Sequence, residues 1–464
     1  MLSSPEPSLK KYLPYILATA IFMQMLDSTI LNTALPQMAT DLQESPLNMQ
    51  SAIISYVLTL ALLIPLSGYL ADRFGTKKIF ILSLIIFAIG SALCAMSNSL
   101  LMLNLSRVIQ GIGGSMMTPV ARLALIKTYE KKEFVQAMNY AIVPALMGPI
   151  LGPLLGGYLV EYVSWHWIFL INIPIALFGI IMSFWFMPDY SRPNAAMDFK
   201  GFILFGIASL VLSISLELMG QPKMLTVVIL LLLAGGLFLY FYFRHARRNE
   251  DALFPTNLFL IRTFRVGLLG NLASRLGISS IPLLIPLLIQ VPYEQSATTS
   301  GWMVAPLAIA AMLSKRTVIP LIDKIGYKNI LIANTLIIGI MIIMLALPGP
   351  HSSVYWFLPI TFIMGWFNSV QFTAMNSLAI ADLRDFNTSS GNSLLAVNQQ
   401  LAIGFGIAIG LTILRFVQTG FGHKPESLHT TFRITFVIVG IITMISSMVY
   451  TRLHRTDGDN LRSH

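Results

Sequence analysis

Apolar residues gather along this chain in runs of about 20, the length at which an α-helix crosses the hydrocarbon core of a bilayer. Fourteen such runs are separated by short polar connections. Six lie near 12–36, 48–71, 79–97, 101–126, 135–160 and 165–187, and a pair follows at 199–218 and 223–243. Six more lie near 265–290, 301–321, 328–347, 354–376, 392–417 and 430–452. The pattern predicts an all-α polytopic membrane protein with 14 transmembrane helices.

Composition strengthens this reading. Apolar residues make up 55% of the 464 and charged residues 11%, with a mean hydropathy of +0.74; a soluble chain carries roughly 25% charged residues. No long polar stretch remains to fold as a separate soluble domain, and the single cysteine, Cys94, rules out an internal disulfide and reads as a buried structural thiol. Lys10 and Lys11 before the first run imitate a secretory signal, but no small-residue cleavage site closes that run, and Asp27 interrupts it.

The net charge of +10 would suggest nucleic acid in a soluble protein. Its distribution points instead to topology. One alternate set of connections, with both termini, holds 24 of the 30 Lys and Arg residues, and the other set holds only Lys223 and Lys424. Cytoplasmic loops retain positive charge, so an even number of spans with both ends cytoplasmic is expected. Arg107, Arg275, Arg415 and Arg433 fall inside runs.

The segment "DRFG" at 72–75 recurs as "DKIG" at 323–326, an offset of 251 residues, each after the second helix of a six-helix half. Parallel repeats of this kind characterise transporters whose site lies between the halves. The expected division is an N-terminal half, 1–187, an inserted helix pair with its linkers, 188–264, and a C-terminal half with a short tail, 265–464.

Asp27 is the one acid well inside a run. Arg107, in run four, needs a carboxylate, carbonyl or water partner, or reaches the interface with its long side chain. Arg275 lies near the middle of run nine, three residues from the position that the 251-residue offset relates to Asp27. Such a charge costs about 2.5 to 3.5 kcal/mol on insertion scales. Pairing with Asp27, binding an anionic group and bonding to backbone carbonyls are all open to it. Gln24, Asn32, Tyr56, Asn271, Asn368, Gln371, Asn376, Asn398 and Gln399 are the polar candidates for lining a largely apolar substrate cavity, or for bonding helix to helix.

In "GYLADRFGTKK", 68–78, Gly68 permits close helix packing, Asp72 can accept from Arg73 or from a helix N-terminus, and Gly75 allows a turn. In "GPILGPLLGG", 148–157, Gly148, Gly152 and Gly156 form one smooth helical face, and Pro149 and Pro153 should bend the helix.

Together with "LDSTILNTALP", "RVIQGIGG" and "WHWIFLINIP", these segments resemble the major facilitator superfamily, in its fourteen-helix drug:proton antiporter branch. The likeness runs over essentially the whole chain and is greatest to the Mdt-type multidrug-resistance transporters of Gram-negative bacteria. It implies proton-coupled efflux of small molecules by alternating access from the bacterial inner membrane. It further implies proton coupling by Asp27 and Arg107, and gating by Gly68, Asp72, Arg73 and Gly75 together with Gly148, Pro149, Gly152, Pro153, Gly156 and Gly157. Gln24, Asn32, Tyr56, Arg275, Asn368 and Gln371 are the expected substrate contacts. Export of an anionic metabolite or metal chelate is the rival reading, because of Arg275. The expected partners are a small-molecule substrate, protons and the lipid bilayer, with no cofactor, metal or nucleic acid. No Gly-Lys dipeptide occurs, so there is no nucleotide-binding Walker A loop, and no HExxH metal motif exists.

Overall fold

A backbone amide in hydrocarbon has no water to bond, so a spanning segment satisfies itself as a helix. The computed structural model describes residues 7–129, 133, 137–138, 140–141, 144–191, 197–219, 224–249, 252–383, 385–421 and 425–461, among which there is no strand. The charges at Lys131, Lys132, Arg192, Lys223, Arg384, Lys424 and Arg462, used above for topology, lie outside the described residues. Two compact units divide the chain, 1–197 and 198–464.

The first unit contains α1 (Pro7–Asp41), α2 (Gln50–Phe74), α3 (Thr76–Ala95), α4 (Leu100–Thr128), α5 (Met147–Tyr162), α6 (Trp167–Leu170) and α7 (Asn172–Phe186). The second begins with α8 (Phe199–Leu218) and α9 (Leu225–Ala246). It continues with α10 (Arg262–Ile278), α11 (Ile281–Gln290), α12 (Ala297–Ile325), α13 (Tyr327–Met344), α14 (Phe357–Ile380), α15 (Asp385–Phe421) and α16 (Pro425–Ser446). Among the described residues 11 helical spans are long and apolar enough to cross a membrane, with α6–α7 and α10–α11 each counted as one. α4 and α14, at 29 and 24 residues, are long enough but carry more polar side chains.

The internal repeat is visible as shared pairings. In the first unit α4 packs on α1, α2 and α3, while α1 packs on α5 and α7, and α3 on α7. In the second, α14 packs on α10, α12 and α13, while α10 packs on α15 and α16, and α13 on α16. Element for element, these are the same contacts.

Two expectations about helix ends are corrected. Pro36 does not end the first span: α1 runs on to Asp41, because a proline removes one intrahelical bond and in an apolar medium nothing competes for the rest. Run nine is broken. α10 stops at Ile278, the repeat counterpart of Asp27, and α11 restarts after Ser280 with Pro282 in its first turn, where a missing N–H costs no bond.

The inserted pair, α8 and α9, packs on itself and on α15 of its own unit. Asp198 caps α8 and gathers three elements: its carboxylate accepts from Gly201 N at 2.9 Å and Leu253 N at 3.1 Å, and pairs with His245 Nε2 at 2.8 Å. Burial pushes this carboxyl up, but the bonds from Gly201, His245 and Leu253 outweigh it and hold the group below the usual carboxylate range. A depressed folded-state pKa adds stability that is present above the unfolded value, near 3.9, and lost as pH falls through the folded one. Asp198→Ala should therefore lower the thermal unfolding midpoint of detergent-purified protein at pH 7, by a cap's worth of about 1 kcal/mol. The gap to wild type should narrow once the pH falls below the unfolded value and close as it passes through the lowered folded one.

Candidate functional site

A lone carboxylate inside an apolar helix must find donors, and two helices of the first unit, α4 and α7, supply them to Asp27. Asp27 on α1 and Arg107 on α4 are each 1% exposed, and Arg107 Nη1 donates to Asp27 Oδ2 at 2.7 Å. The same nitrogen donates to Gln110 Oε1 at 2.7 Å, and Arg107 Nε reaches the Ala52 carbonyl of α2 at 3.2 Å. The guanidinium lies over the ring of Tyr56, 4.2 Å from its centroid, a favourable cation–π geometry.

The other carboxylate oxygen, Asp27 Oδ1, accepts from Gln110 Nε2 at 2.8 Å and from Asn172 Nδ2 of α7 at 3.1 Å. Both amides also donate to Ser91 Oγ of α3, each at 3.0 Å, and that hydroxyl donates to the Phe169 carbonyl at 3.1 Å. Because Ser91 spends its proton on Phe169, it can only accept from the amides, which orients both of them toward Asp27. Cys94 Sγ lies 3.6 Å from Gln110 Oε1, the buried thiol expected from the sequence. Among the described residues, Tyr56 OH and Asn172 Oδ1 are buried without a hydrogen-bond partner.

The Asp27–Arg107 contact was expected from resemblance. Asn172 and Ser91 were missed, although Asn172 stands inside "WHWIFLINIP", whose aromatic end drew attention instead. That end is structural in form: His166 stacks on Trp165 at 3.7 Å and shares a 2.7 Å hydrogen bond with Ser164, and Trp165 Nε1 donates to Asp41 at 2.8 Å.

The glycine face of α5 rests on the Asp27 segment of α1. A Cβ at Gly148 would meet Met25 Cβ at 2.9 Å, one at Gly152 would meet Thr29, and one at Gly156 would meet Thr33 and the Ile30 carbonyl. Pro153 and Gly157 are buried in the same helix. Pro149 does not bend it, as expected, from within; Leu146 is a turn, and Pro149 sits in the first turn of α5, where its missing N–H breaks nothing.

At the α2–α3 turn Gly75 has φ +101°, open to glycine but strained for other residues, and a Cβ there would strike the carboxylate of Asp189. Asp189 instead accepts from Lys77 N at 3.2 Å, while Thr76 bonds Pro188 and Tyr190, tying the chain after α7 to this turn. Asp72 gains a partner not foreseen for it: Lys127 Nζ of α4 donates to it at 2.6 Å. Nothing lies within 4 Å of a Cβ built on Gly68, so close packing does not require that glycine, and Arg73 is exposed. The repeat does the same with other residues: Gly326 has φ +82°, and Lys328 Nζ donates to the Thr451 and Leu453 carbonyls after α16, at 2.9 and 2.7 Å.

The expected substrate contacts are scattered. Gln24 accepts from Thr118 Oγ1 at 2.6 Å, Asn32 is 7% exposed, and Tyr56 lies fully buried beneath Arg107. In the second unit Gln371 Nε2 donates to Thr335 Oγ1 at 2.9 Å, and Asn368 and Gln371 line one small pocket with Arg275. Arg275 Nε donates to Asn271 Oδ1 at 2.8 Å, and its guanidinium lies 5.0 Å from the ring centroid of Phe372, so a side-chain amide takes the place of the carbonyl partners considered above.

Comparison with known proteins bears on what this arrangement serves. A sequence model described as Major Facilitator Superfamily matches residues 17–245 and 267–463. A protein of Pectobacterium atrosepticum named "Putative multidrug resistance protein MdtD" is 40% identical over 97% of both chains. One of the same name from Salmonella newport is 38% identical over 96% of both. Among solved structures, a bacterial homolog of the human lysosomal transporter Spinster, inward-facing and unoccupied, superposes with a TM-score of 0.67 at 18% identity over 99% of both chains. The nucleoside transporter NupG gives 0.61 at 14% identity over 95% of this chain and 99% of that one.

Removing one partner of a buried ion pair leaves an uncompensated charge, at a cost of about 3 to 5 kcal/mol. Arg107→Gln alone should therefore abolish a monodisperse peak in size-exclusion chromatography. Adding Asp27→Asn should restore it, since neither residue is then charged. Gly152→Val should likewise unfold the protein at lower temperature, by driving α5 off α1.

Proposed function

We propose, from the premise that the chain belongs to the Major Facilitator Superfamily and is a multi-pass transporter, that it exports small molecules of the multidrug type in exchange for protons. The reading places fourteen crossings in a bacterial inner membrane with both termini cytoplasmic, and keeps the division 1–187, 188–264 and 265–464. Its support is the Asp27–Arg107 pair, sealed inside the first unit with Gln110 and Asn172 bonded to its carboxylate. The names of the MdtD relatives support the multidrug substrate class.

In this mechanism Asp27 carries the proton. A carboxylate held by Arg107, Gln110 and Asn172 gives up its bonds only if α1 shifts against α4 and α7. Protonation removes the charge that holds Arg107, and Tyr56 OH and Asn172 Oδ1 supply unused hydrogen-bonding capacity for the rearranged groups. The glycine face of α5 lets α1 slide without side-chain interlock, so Gly148, Gly152 and Gly156 transmit the change, with Pro149, Pro153 and Gly157 shaping that helix. The α2–α3 turn, with Gly68, Asp72, Arg73 and Gly75, latches one state through Asp72 and Lys127. One proton descending 100 mV supplies about 2.3 kcal/mol, plus any pH gradient, enough to expel weakly bound lipophilic molecules. Gln24, Asn32, Tyr56, Arg275, Asn368 and Gln371 are the proposed contacts for them.

A second reading, export of an anionic metabolite or metal chelate, is favoured by one observation: among the described residues of its unit, Arg275 has no acidic partner. Reconstituted protein separates the two when driven by an imposed pH gradient without nucleotide. Uptake of cationic dyes into everted liposomes supports the first, and uptake of organic anions alone supports the second. In either case the double variant Asp27→Asn/Arg107→Gln, which leaves neither charge buried and unpaired, should fold and insert yet show no gradient-driven flux. Flux that survives in this variant would remove Asp27 from the proton path.

A further inference from the structure

We infer that the second unit holds a site for a single monovalent anion of halide size, seated against Arg275. Arg275 lies near the middle of the span formed by α10 and α11, one turn before the break at Ser279 and Ser280. Its Nε is used by Asn271 Oδ1, but among the described residues of its own unit Nη1 and Nη2 have no hydrogen-bond partner and no carboxylate forms an ion pair with the guanidinium. The acid that sequence suggested for it, Asp27, is already neutralised by Arg107. A cation that cannot lose its proton, held in an apolar span, favours a polar or anionic partner at its free nitrogens.

The pocket beside it has the size for one, with the guanidinium as its charged donor; the Ser274 and Thr443 hydroxyls of its lining donate to backbone carbonyls. Ser274, Arg275, Asn368, Gln371, Phe372 and Thr443 are among its lining residues. About 10 Å³ of it is open to the centre of a water-sized sphere, room for about one such particle. Because Arg275 Nε must donate to Asn271 Oδ1, the orientation of that amide is determined; Asn271 Nδ2 is a fully buried donor without a partner among the described residues, but Asn271 stands behind the guanidinium and is not part of the pocket lining. Gln371 has the opposite character. Thr335 Oγ1 donates to the Leu331 carbonyl and can only accept from Gln371 Nε2, so Gln371 Oε1 remains an unpartnered acceptor that repels an anion. The ion is therefore held at the guanidinium rather than along α14. The space excludes a bulky anion, and the inference does not depend on what the protein exports.

Purified full-length protein in sodium gluconate is titrated with sodium chloride at constant ionic strength while thermal unfolding is followed. Wild type should gain about 2 °C or more in Tm as chloride approaches physiological levels. Arg275→Gln should show no such gain. Should Arg275→Gln fail to fold, Asn271→Asp serves the same end: a carboxylate beside the guanidinium supplies the counter-charge internally, so the Tm should become independent of chloride. Three outcomes overturn the inference: equal Tm in chloride and gluconate for wild type, a chloride gain that survives in either variant, or protection by acetate but not by chloride, which would make the pocket a carboxylate subsite.

Discussion

The first unit is organised around one constraint: a carboxylate placed in hydrocarbon must be matched in charge and in hydrogen bonds by groups that are themselves buried. Arg107 matches the charge of Asp27, and Gln110 and Asn172 occupy its second oxygen. Each of these groups then needs a partner of its own, which Ser91, the Ala52 carbonyl and the ring of Tyr56 provide. The requirement propagates outward until it reaches backbone carbonyls, and by then five helices have been held in register. A buried pair of this kind contributes little net stability, since desolvation offsets its attraction. What it does fix is which side chains of the five helices meet around Asp27.

Small residues make that arrangement possible. Lipid is as apolar as leucine, so helices in a bilayer associate through close packing and shared polar groups rather than through hydrophobic burial. Gly148, Gly152 and Gly156 bring the backbone of α5 onto the stretch of α1 that carries Asp27. On α4, Gly113 sits against the Ser83 carbonyl and Phe87 of α3, close enough for Gln110 to reach Ser91. The polar network and the glycine contacts are two aspects of one packing solution.

The two units show how far a repeat preserves contacts while its chemistry diverges. Their helix pairings correspond, and at both turns after the second helix a glycine takes positive φ, while the segment following the last helix of the half is tied back to that turn. The residues doing so differ: Asp189 and Thr76 in the first, Lys328 in the second. At the position matching Asp27 the second unit has a helix break, and its buried charge is a guanidinium. Among the described residues, the carboxylate buried in the middle of a span belongs to the first unit, and the proposed function assigns the proton to that unit.

The sequence by itself determined the all-helical membrane architecture, the repeat, the turns at Gly75 and Gly326, and the presence of a single acid that had to be satisfied inside the first helix. These properties are local, because hydropathy and turn chemistry accumulate residue by residue along the chain. Only the tertiary structure decided the partners. Arg107, Gln110 and Asn172 stand 80, 83 and 145 positions from Asp27, and no local pattern distinguishes the asparagine that donates to it from the many that do not. The same holds for Lys127 in place of Arg73 beside Asp72, for the continuation of α1 through Pro36, and for Asn271 as the neighbour of Arg275. Hydrogen-bond closure depends on distances that exist only once the helices have packed.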